Sequence, residues 1–472
     1  MKSTTATADS APQTPAVRWA LVSLSLSMLL SSLGTSIANV GLPTLAQVFD
    51  ASFQQVQWVV LAYLLAITTL IVSTGRLGDL VGRRRLLLTG IAVFSLASLL
   101  CSLAPTLGWL IGARTVQGLG AAAMMALTMA FAGATVPRER TGSAMGLLGT
   151  MSAIGTATGP SLGGLLIEGF GWQAIFLVSV PLGALGWFLA YRFLPADRPR
   201  ATAVHEGFDL IGTALLAMTL AAYALAVTLG RGHFAAMNLA LLLGATVGLG
   251  LFVFAQTRVA SPLIRLTLFR NPVLSGGLAM STLVATVIMT TLVIGPFYLA
   301  HGLGLQPMVT GLVLAVGPCV AAVTGLPAGR VADRFGAQRM TTAGLVAMAL
   351  GCLALSLLPQ TVGIAGYVVP MVVLTLGYAV FQTANNTTIM SDVTADRRGV
   401  VAGMISLSRN LGLITGASVM GAVFAFAAQT AEVASASPQA IGYGMRVTYG
   451  VAFGLILLAL ALSCRSELAR DS

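Results

Sequence analysis

The chain has 472 residues, of which 57% are hydrophobic and 8% charged, and its mean hydropathy is +0.91. Soluble domains carry about 25% charged residues, so this composition excludes a soluble protein and predicts one embedded in a bilayer. The net charge of +11 does not indicate nucleic-acid binding, because the basic residues lie in short loops between apolar segments. The four cysteines form no CxxC pair, so we expect neither a metal site nor a disulfide framework.

Residues 1–17 are rich in Thr, Ala, Ser and Pro and contain no apolar stretch before a cleavage site, which predicts a disordered tail rather than a signal peptide. Apolar segments then follow one another, most of them about 20 residues long, the length that lets a helix cross the hydrocarbon core. They predict an all-α polytopic membrane protein with fourteen transmembrane helices, at residues 18–40, 56–74, 86–103, 109–133, 142–166, 173–193, 209–229, 236–256, 275–299, 309–329, 341–358, 364–388, 401–427 and 446–464.

The loops on one side of these segments hold nearly all of the Lys and Arg residues. On the other side stand only Arg231 and Arg446, while Arg114 and Arg409 lie within apolar segments. Cytoplasmic loops of membrane proteins are enriched in basic residues. Both termini are therefore predicted to be cytoplasmic, which requires an even number of crossings.

Two charged stretches share one pattern, GRLGDLVGRRR at residues 75–85 and GRVADRFGAQR at residues 329–339. Such a repeat indicates an ancestral unit that was duplicated. The first stretch follows the second apolar segment and its repeat follows the tenth, although two fused six-helix units would place the repeat after the eighth. Segments 209–229 and 236–256 are therefore interpreted as two helices inserted between the halves.

This arrangement predicts two six-helix bundles plus two extra central helices. The predicted units are a cytoplasmic tail at 1–17, an N-terminal bundle at 18–193, a linker with two inserted transmembrane helices at 194–270, a C-terminal bundle at 271–464 and a cytoplasmic tail at 465–472.

The only lysine is Lys2, in the N-terminal tail, so no phosphate-binding P-loop can be formed. This excludes ATP-driven transport by this chain alone and leaves gradient-driven or passive movement. An integral membrane enzyme, such as a lipid-modifying transferase, would need clustered acids or histidines with a metal or a nucleophile. The sequence has no such cluster, so no catalytic residue is assigned, and the enzyme stays a remote alternative.

Five stretches resemble motifs of the major facilitator superfamily. GRLGDLVGRRRLLL, from Gly75, resembles the signature loop after the second helix. ARTVQGLGAA at 113–122 resembles the fourth-helix motif, and GTATGPSLGG at 155–164 resembles the fifth-helix motif typical of exporters. WQAIFLVSVPLG at 172–183 and SPLIRLTLFRN at 261–271 resemble segments of the fourteen-spanner drug:proton antiporters. Together they cover nearly the whole chain after the tail.

The resemblance implies a secondary active transporter that exports small amphiphilic compounds, such as drugs or toxic metabolites, across the cytoplasmic (inner) membrane by alternating access. It implies the proton gradient as driving force, with a small-molecule substrate, protons and the lipid bilayer as partners. We expect a monomer that uses no cofactor, metal or nucleic acid. An exporter of a dedicated endogenous metabolite or siderophore-like compound stays open as an alternative.

Three polar residues are candidates for the transport cavity and proton coupling, namely Asn39, Arg114 and Gln117. An Arg in the middle of a transmembrane helix costs about 2.5–3.5 kcal/mol, so it should face a watery cavity or bind backbone carbonyls at a helix break. The candidates for a helix bend and closure of the cavity are Gly155, Gly159, Pro160, Gly163 and Gly164. Proline removes an intrahelical hydrogen bond, and glycines allow close helix contact.

The two repeated stretches are predicted to form the cytoplasmic gate. Its candidate residues are Gly75, Asp79, Gly82, Arg83, Arg84, Gly329, Asp333, Arg334 and Gly336. The repeat is imperfect, because Arg83 and Arg84 correspond to Ala337 and Gln338. The two halves of the gate should therefore not be equally strong.

Residues 33–43, LGTSIANVGLP, resemble a first-helix motif that usually has an acid at the position of Gly34. None of the 14 acidic residues falls near a predicted membrane midplane. Proton coupling implied by the resemblance therefore lacks its usual carboxylate. A neutral, zwitterionic or anionic substrate is predicted over a lipophilic cation, because no midplane anion would hold a cation.

Overall fold

The computed structural model describes residues 15–135, 141–197, 209–228, 236–259, 262, 269–391, 398–428 and 436–471. In these residues the fold consists of helices joined by short turns. The helices are α1 Pro15–Val48, α2 Phe53–Val81, α3 Arg83–Ser102, α4 Leu107–Thr135, α5 Thr141–Phe170, α6 Ala174–Leu177, α7 Ser179–Phe193, α8 Leu210–Thr228, α9 Ala236–Arg258, α10 Pro272–Phe297, α11 Pro307–Phe335, α12 Ala337–Leu357, α13 Gly363–Ser391, α14 Arg398–Thr415, α15 Gly421–Ala427 and α16 Pro438–Asp471. Tyr298–Gly302 and Gly416–Met420 are π-helical turns, and Gln360–Val362 is a 3₁₀ turn.

Twelve helical segments in the described residues are long and apolar enough to cross a membrane. The protein is therefore an all-helical, multi-pass membrane protein. The predicted count of fourteen is supported only in part, because α5 and α11 are not among the twelve. The composition of α5, which is rich in Gly, Ser and Thr, lowers its hydropathy. For α11 the apolar stretch found in the described residues is Pro307–Ala321.

Helix starts follow local capping chemistry. Ser52 Oγ accepts a hydrogen bond from Gln55 N at 3.3 Å, and Gln55 Oε1 accepts one from Ser52 N at 2.8 Å. This capping box satisfies two otherwise free donors at the start of α2. At the start of α10, Asn271 Oδ1 accepts from Val273 N at 2.9 Å, and Pro272 occupies a position where no N–H is needed.

The helices form two groups, with α8 and α9 between them in sequence. Helices α1 to α7 pack mainly on each other, through pairs such as α1 with α5 and α3 with α4. Helices α10 to α16 do the same, through pairs such as α10 with α14 and α12 with α13, except that α11 packs extensively on α5 of the first group as well as on α13. We call these groups the first and second bundles. Helix α8 packs on α9 and also contacts α2 and the Gly416–Met420 turn.

The predicted duplication recurs in the backbone geometry. The break between α2 and α3 lies at Gly82, with φ +104°, and the break between α11 and α12 lies at Gly336, with φ +90°. Residues with a side chain rarely adopt this backbone conformation, so the turn requires glycine at Gly82 and Gly336, which occupy the same position of the repeat. Residues 1–14 lie outside the described part, and α16 continues through the predicted C-terminal tail to Asp471.

A second matched pair of glycines brings helices close together in both bundles. A Cβ on Gly120 of α4 would lie 2.7 Å from Gly90 O on α3. In the second bundle, a Cβ on Gly344 of α12 would lie 2.7 Å from Gly377 O on α13. The same close crossing of backbones is therefore built twice.

The apolar core is continuous between the bundles at one end only. We call the end where α1 begins the near end, and the end with the α1–α2 turn the far end. One cluster of buried residues joins both bundles in the far half, from Leu42 and Val60 to Val293 and Phe297. Within the second bundle it continues into the near half, to Leu345 and Phe381. In the near half, the first bundle has its own cluster and the second bundle shares another with α8 and α9. In the described residues the buried core shared by the bundles thus lies in the far half, and partly buried Leu65 of α2 packs on the cluster that the second bundle forms with α8 and α9.

The close crossings predict matched losses of stability. Gly120→Ala and Gly377→Ala should each destabilise the fold by about 1–3 kcal/mol, because the added methyl meets backbone atoms. Gly112→Ala is the control, since nothing lies within 4 Å of a Cβ at that position. Thermal unfolding in detergent measures the effect. Equal melting temperatures for the Gly112 and Gly120 variants would contradict the packing described above.

Candidate functional site

Arg114 of α4 lies inside the first bundle, with 0% of its side chain exposed. Its Nε–H donates to Val59 O at 2.8 Å, and Nη2 donates to Gly34 O at 3.0 Å. Nη1 donates to Gln117 Oε1 at 2.5 Å, and the guanidinium carbon lies 4.1 Å from the centre of the Tyr63 ring. Backbone carbonyls, one amide and a ring face thus surround the buried charge.

Gln117 extends this network to α3. Its Nε2 donates to Ser98 Oγ at 2.7 Å, and Ser98 Oγ donates to Phe94 O at 2.7 Å. Two of the three predicted cavity residues, Arg114 and Gln117, are therefore in direct contact. Together they link α1, α2, α3 and α4 into one polar network inside the bundle.

Asn39 does not join this network. Its Nδ2 donates to two carbonyls of its own helix, Thr35 O at 2.9 Å and Ser36 O at 3.3 Å. The side chain is buried, and its Oδ1 has no hydrogen-bond partner in the described part of the chain. Asn39 thus carries a buried acceptor that could receive a donor from a ligand or a water.

Gly34 lies directly beside the Arg114 network. Its carbonyl accepts from Arg114, and a Cβ on this glycine would lie 2.9 Å from Tyr63 Oη and 3.3 Å from Phe94 Cε2. The position where the first-helix motif usually has an acid is therefore next to the buried guanidinium. In this chain the guanidinium is held there by a carbonyl oxygen instead of an acidic side chain.

The glycines predicted to bend α5 form its contact surface with α1. A Cβ on Gly155 would lie 2.5 Å from Leu29 O, and one on Gly159 would meet Ser36. Gly163 faces the same helix, since its Cβ would lie 2.6 Å from Val40 Cγ1. These three residues allow two helices of the first bundle to pack with almost no space between them.

The end of the same motif faces the second bundle. A Cβ on Gly164 would lie 2.5 Å from Pro307 O at the start of α11, and Gly311 of α11 packs on Pro160 O. Helix α5 is continuous through Pro160 from Thr141 to Phe170. The motif thus supplies close packing both within the first bundle and between the bundles, in the far half.

The near-end loop after α2 has a partner that the sequence patterns did not predict. Asp197, which follows α7, accepts the N–H of Arg84 at 2.8 Å and the N–H of Arg85 at 3.1 Å. Its carboxylate therefore caps the first turn of α3. A Cβ on Gly82 would meet this carboxylate, and the Arg84 guanidinium donates to Tyr191 O.

The repeated loop after α11 is more open. Nothing lies within 4 Å of a Cβ on Gly336, and Gln338 Nε2 donates to Ser463 Oγ at 3.2 Å instead of anchoring a charge. Arg334 is exposed and stacks on the neighbouring Phe335, 5.6 Å from the ring centre. The surroundings of Gly75, Asp79, Gly329 and Asp333 are outside the described part, so their assignment to the gate stays a prediction.

An aromatic contact closes the far end between the bundles. Phe53 of α2 is 1% exposed. Its ring lies 4.7 Å from the ring of Phe297 on α10 and 5.4 Å from that of Phe424 on α15, measured between centroids. A residue of the first bundle is therefore seated between two residues of the second.

A hydrogen bond beside Phe53 reinforces this closure. Gln57 Nε2 donates to Ala417 O at 2.9 Å, within the π-helical turn Gly416–Met420. The N–H of Gly421 bonds to Ser418 O, so it does not take the Ala417 carbonyl as it would in a regular α-helix. A Cβ on Gly421 would collide with the Gln57 amide.

Two polar contacts lie further out at the far end. Glu168 Oε2 of α5 accepts from Met308 N on α11 at 3.2 Å, and Gln47 Nε2 lies 3.3 Å from His301 Nε2. Both contacts join the first bundle to the second. They add to a far end that is closed by apolar packing, backbone contact and hydrogen bonds together.

Two duplicated helical bundles that share their core at one end have the architecture of alternating-access membrane transporters. The chain belongs to the Major Facilitator Superfamily, whose family model matches residues 24–417. Membership of this family implies that the protein lies in a lipid bilayer and acts on a small-molecule substrate.

Curated relatives cover most of the chain. The riboflavin transporter RibZ of Clostridioides difficile is 31% identical over 407 residues, which cover 86% of this chain and 88% of RibZ. The multidrug resistance protein Stp of Mycobacterium tuberculosis is 34% identical over 409 residues, covering 86% and 75%. The multidrug efflux pump LfrA of Mycolicibacterium smegmatis is 31% identical over 426 residues, covering 88% and 82%.

Solved structures agree on the fold. A bacterial homologue of the human lysosomal transporter Spinster, inward-facing and unoccupied, superposes with a TM-score of 0.70 at 15% identity, covering 96% of this chain and 98% of that chain. The Escherichia coli xylose transporter XylE, in a partially occluded inward-open conformation, gives 0.64 at 12% identity, covering 95% and 97%. At these identities the likeness shows the fold alone.

The buried network predicts that Arg114 is needed for stability as well as activity. Arg114→Ala removes donors from Val59 O, Gly34 O and Gln117, and unpaired buried acceptors cost about 1–3 kcal/mol each. We expect a lower melting temperature and lost transport, with Arg114→Lys intermediate. Exposed Arg85→Ala is the control. Normal transport by Arg114→Ala would remove this residue from the site.

The far-end contacts predict a testable coupling between Gln57 and Gly421. In a chain whose four native cysteines are replaced, a cross-link between Gln47→Cys and His301→Cys, made with a short bifunctional thiol reagent, reports far-end closure, because the two native side chains meet at their tips. Gln57→Ala and Gly421→Ala should each slow its formation about threefold to tenfold, the worth of roughly one hydrogen bond. The double variant should react at the same rate as Gln57→Ala alone. Without the Gln57 amide, the methyl group added at position 421 has nothing to collide with. Fully additive effects would contradict the direct contact.

Proposed function

We propose that this protein is a secondary active exporter of small amphiphilic compounds that works by alternating access. The observation that carries the proposal is that, among the residues the structure describes, the buried core shared by the two bundles lies in the far half. Rocking two bundles about a site between them requires contacts at one end that can be exchanged for contacts at the other. The multidrug pumps among the relatives, Stp and LfrA, support export of drug-like compounds.

The orientation follows from charge. The near end carries most of the basic loops, so we place it and both termini in the cytoplasm, with the protein in the cytoplasmic (inner) membrane. The conformation closed at the far end then faces inward. Helices α5 and α11 complete fourteen crossings, since each packs between apolar helices and joins near-end loops to far-end loops.

The proton gradient is the proposed driving force, and the Arg114–Gln117 network is the proposed place where it acts. With Gly34 beside the guanidinium, no carboxylate of α1 can exchange a proton there. Proton binding would have to change the Arg114 network through water or through the substrate itself. We propose that the exporter works as a monomer, since one chain contains both bundles and the seam between them.

The proposed substrates are neutral, zwitterionic or anionic amphiphiles. Asn39 Oδ1 is a buried acceptor for a substrate donor. A second candidate function is export of one dedicated metabolite. The relative named as a riboflavin transporter favours this alternative, because it matches as much of the chain as the multidrug pumps do.

Transport in reconstituted vesicles tests the proposal. With the near end facing outward and an imposed proton gradient, neutral or anionic fluorescent amphiphiles should accumulate, and collapse of the gradient should release them. Proton movement driven by substrate should appear in the same vesicles. Tight transport of quaternary ammonium dyes, without transport of neutral or anionic compounds, would refute the substrate class.

The unequal loops predict unequal effects of matched variants. The loop after α2 is held by hydrogen bonds of Asp197 and Arg84. In the loop after α11, nothing lies within 4 Å of a Cβ on Gly336. We therefore expect Asp79→Asn to reduce transport more than Asp333→Asn does at matched expression. Initial transport rates measure the difference, and equal losses would count against an asymmetric near-end gate.

A further inference from the structure

Arg409 is a second charge inside a membrane-spanning segment, and its surroundings differ from those of Arg114. It lies within the apolar span Met404–Ala427, about 16 Å along α14 from the near end at 1.5 Å per residue. The side chain is partly exposed, and its Nε–H has no hydrogen-bond partner in the described part of the chain. Such a guanidinium is costly in a membrane unless water or an anion meets it.

The contacts of α14 establish where Arg409 points. Ser408 Oγ lies 2.8 Å from Thr282 Oγ1 on α10, and Ala417 meets Gln57 of α2. At 3.6 residues per turn, the side chain of Arg409 points about 100° away from that of Ser408 and about 80° away from that of Ala417, measured around the axis of α14. It therefore points between α10 and α2, which belong to different bundles.

Helix α8 contacts α14 on nearly the same side as Ser408. Tyr223 Oη of α8 donates to Thr415 Oγ1 at 3.1 Å. Thr415 lies about 120° from Arg409 around the helix, so Arg409 points away from α8. By this geometry Arg409 points toward the seam between the bundles, at the depth of the cluster that the second bundle shares with α8 and α9 and on which Leu65 of α2 also packs.

The helices around this seam supply no counter-ion. The sequence contains no acidic residue between Asp209 and Asp333, and none between Asp396 and Glu432. Helices α10, α14 and α15 therefore carry no carboxylate, and α1 carries none from Pro15 to Val48. The single acid of α2 is Asp79, close to its near end. A partner for Arg409 has to come from outside these helices.

We propose that Arg409 is the anion-binding residue of the transport site and takes a carboxylate, sulfonate or phosphate group of an amphiphilic substrate. A guanidinium presents a planar pair of donors that matches such groups in two parallel hydrogen bonds. The apolar part of the substrate then lies against the surrounding helices. This inference rests on the proposed export function and narrows its substrate class to amphiphilic anions.

Binding of a matched pair of probes tests the site. The probes are 1-pyrenebutyrate, an anion, and its methyl ester, which has the same apolar part without the charge. Their affinities are measured by fluorescence with the purified protein in lipid nanodiscs. Arg409→Gln should weaken pyrenebutyrate binding about 10- to 100-fold, the worth of hydrogen bonds to a charged group, and leave the ester unchanged.

Two further variants separate the charge from its geometry. Arg409→Lys keeps the charge but loses the paired donors, so its affinity for pyrenebutyrate should lie between those of Arg409→Gln and the native protein. Arg258→Gln on α9 is the control, because that Arg stacks on Phe254 at 5.1 Å, outside the two bundles. It should bind both probes as the native protein does.

Three results would overturn the proposal: equal affinity of the native protein for acid and ester, undiminished acid binding by Arg409→Gln, or equal loss of both probes in that variant. Ester binding also verifies that each variant is folded. Export is measured separately in vesicles. A native protein that binds the anion but moves it inward would refute the export function and leave the anion site standing.

Discussion

The contact of Phe53 with Phe297 and Phe424 is the point at which the two bundles become one body. It lies in the far half, where a single apolar core crosses the seam, and Gln57 fastens the same region to an irregular turn of the neighbouring helix. Apolar packing between bundles is non-directional and can be given up and remade. Close backbone contact is found within the first bundle and also between the bundles, where Gly164 of α5 meets α11.

Hydrocarbon gives a buried polar group no solvent, and this chain meets that constraint in two different ways. Arg114 is enclosed by carbonyls, an amide and a ring, so its charge belongs to the structure of the first bundle. Arg409 has a buried Nε–H that has no hydrogen-bond partner in the described part of the chain. Two intramembrane arginines thus have different roles, one holding helices together and one available to a ligand, and only their partners distinguish them.

The sequence predicted the duplication, the helical membrane fold and the small-residue contacts of α5, because each has a local pattern. Gly82 and Gly336 confirm the repeat through their shared backbone conformation. Hydropathy predicted fourteen crossings, whereas twelve helical segments of the described residues are long and apolar enough to cross, and Gly, Ser and Thr lower the hydropathy of α5.

The pairing of distant residues was beyond the sequence. Gln57 and Ala417 meet only because two bundles dock, and Asp197 caps α3 from a loop that follows α7. Nothing in periodicity fixes how far one helix is rotated against another. For the same reason Asn39 was grouped with Arg114, although its hydrogen bonds stay within α1.

Paired distances at the two ends test alternating access most directly. Spin labels at Phe170 and Leu357 report the far end, and labels at Val81 and Phe335 report the near end, since all four side chains are exposed. Substrate and a proton gradient should lengthen the far-end distance and shorten the near-end distance in the same molecules. Distances that change in the same direction at both ends, or at neither, would contradict the account.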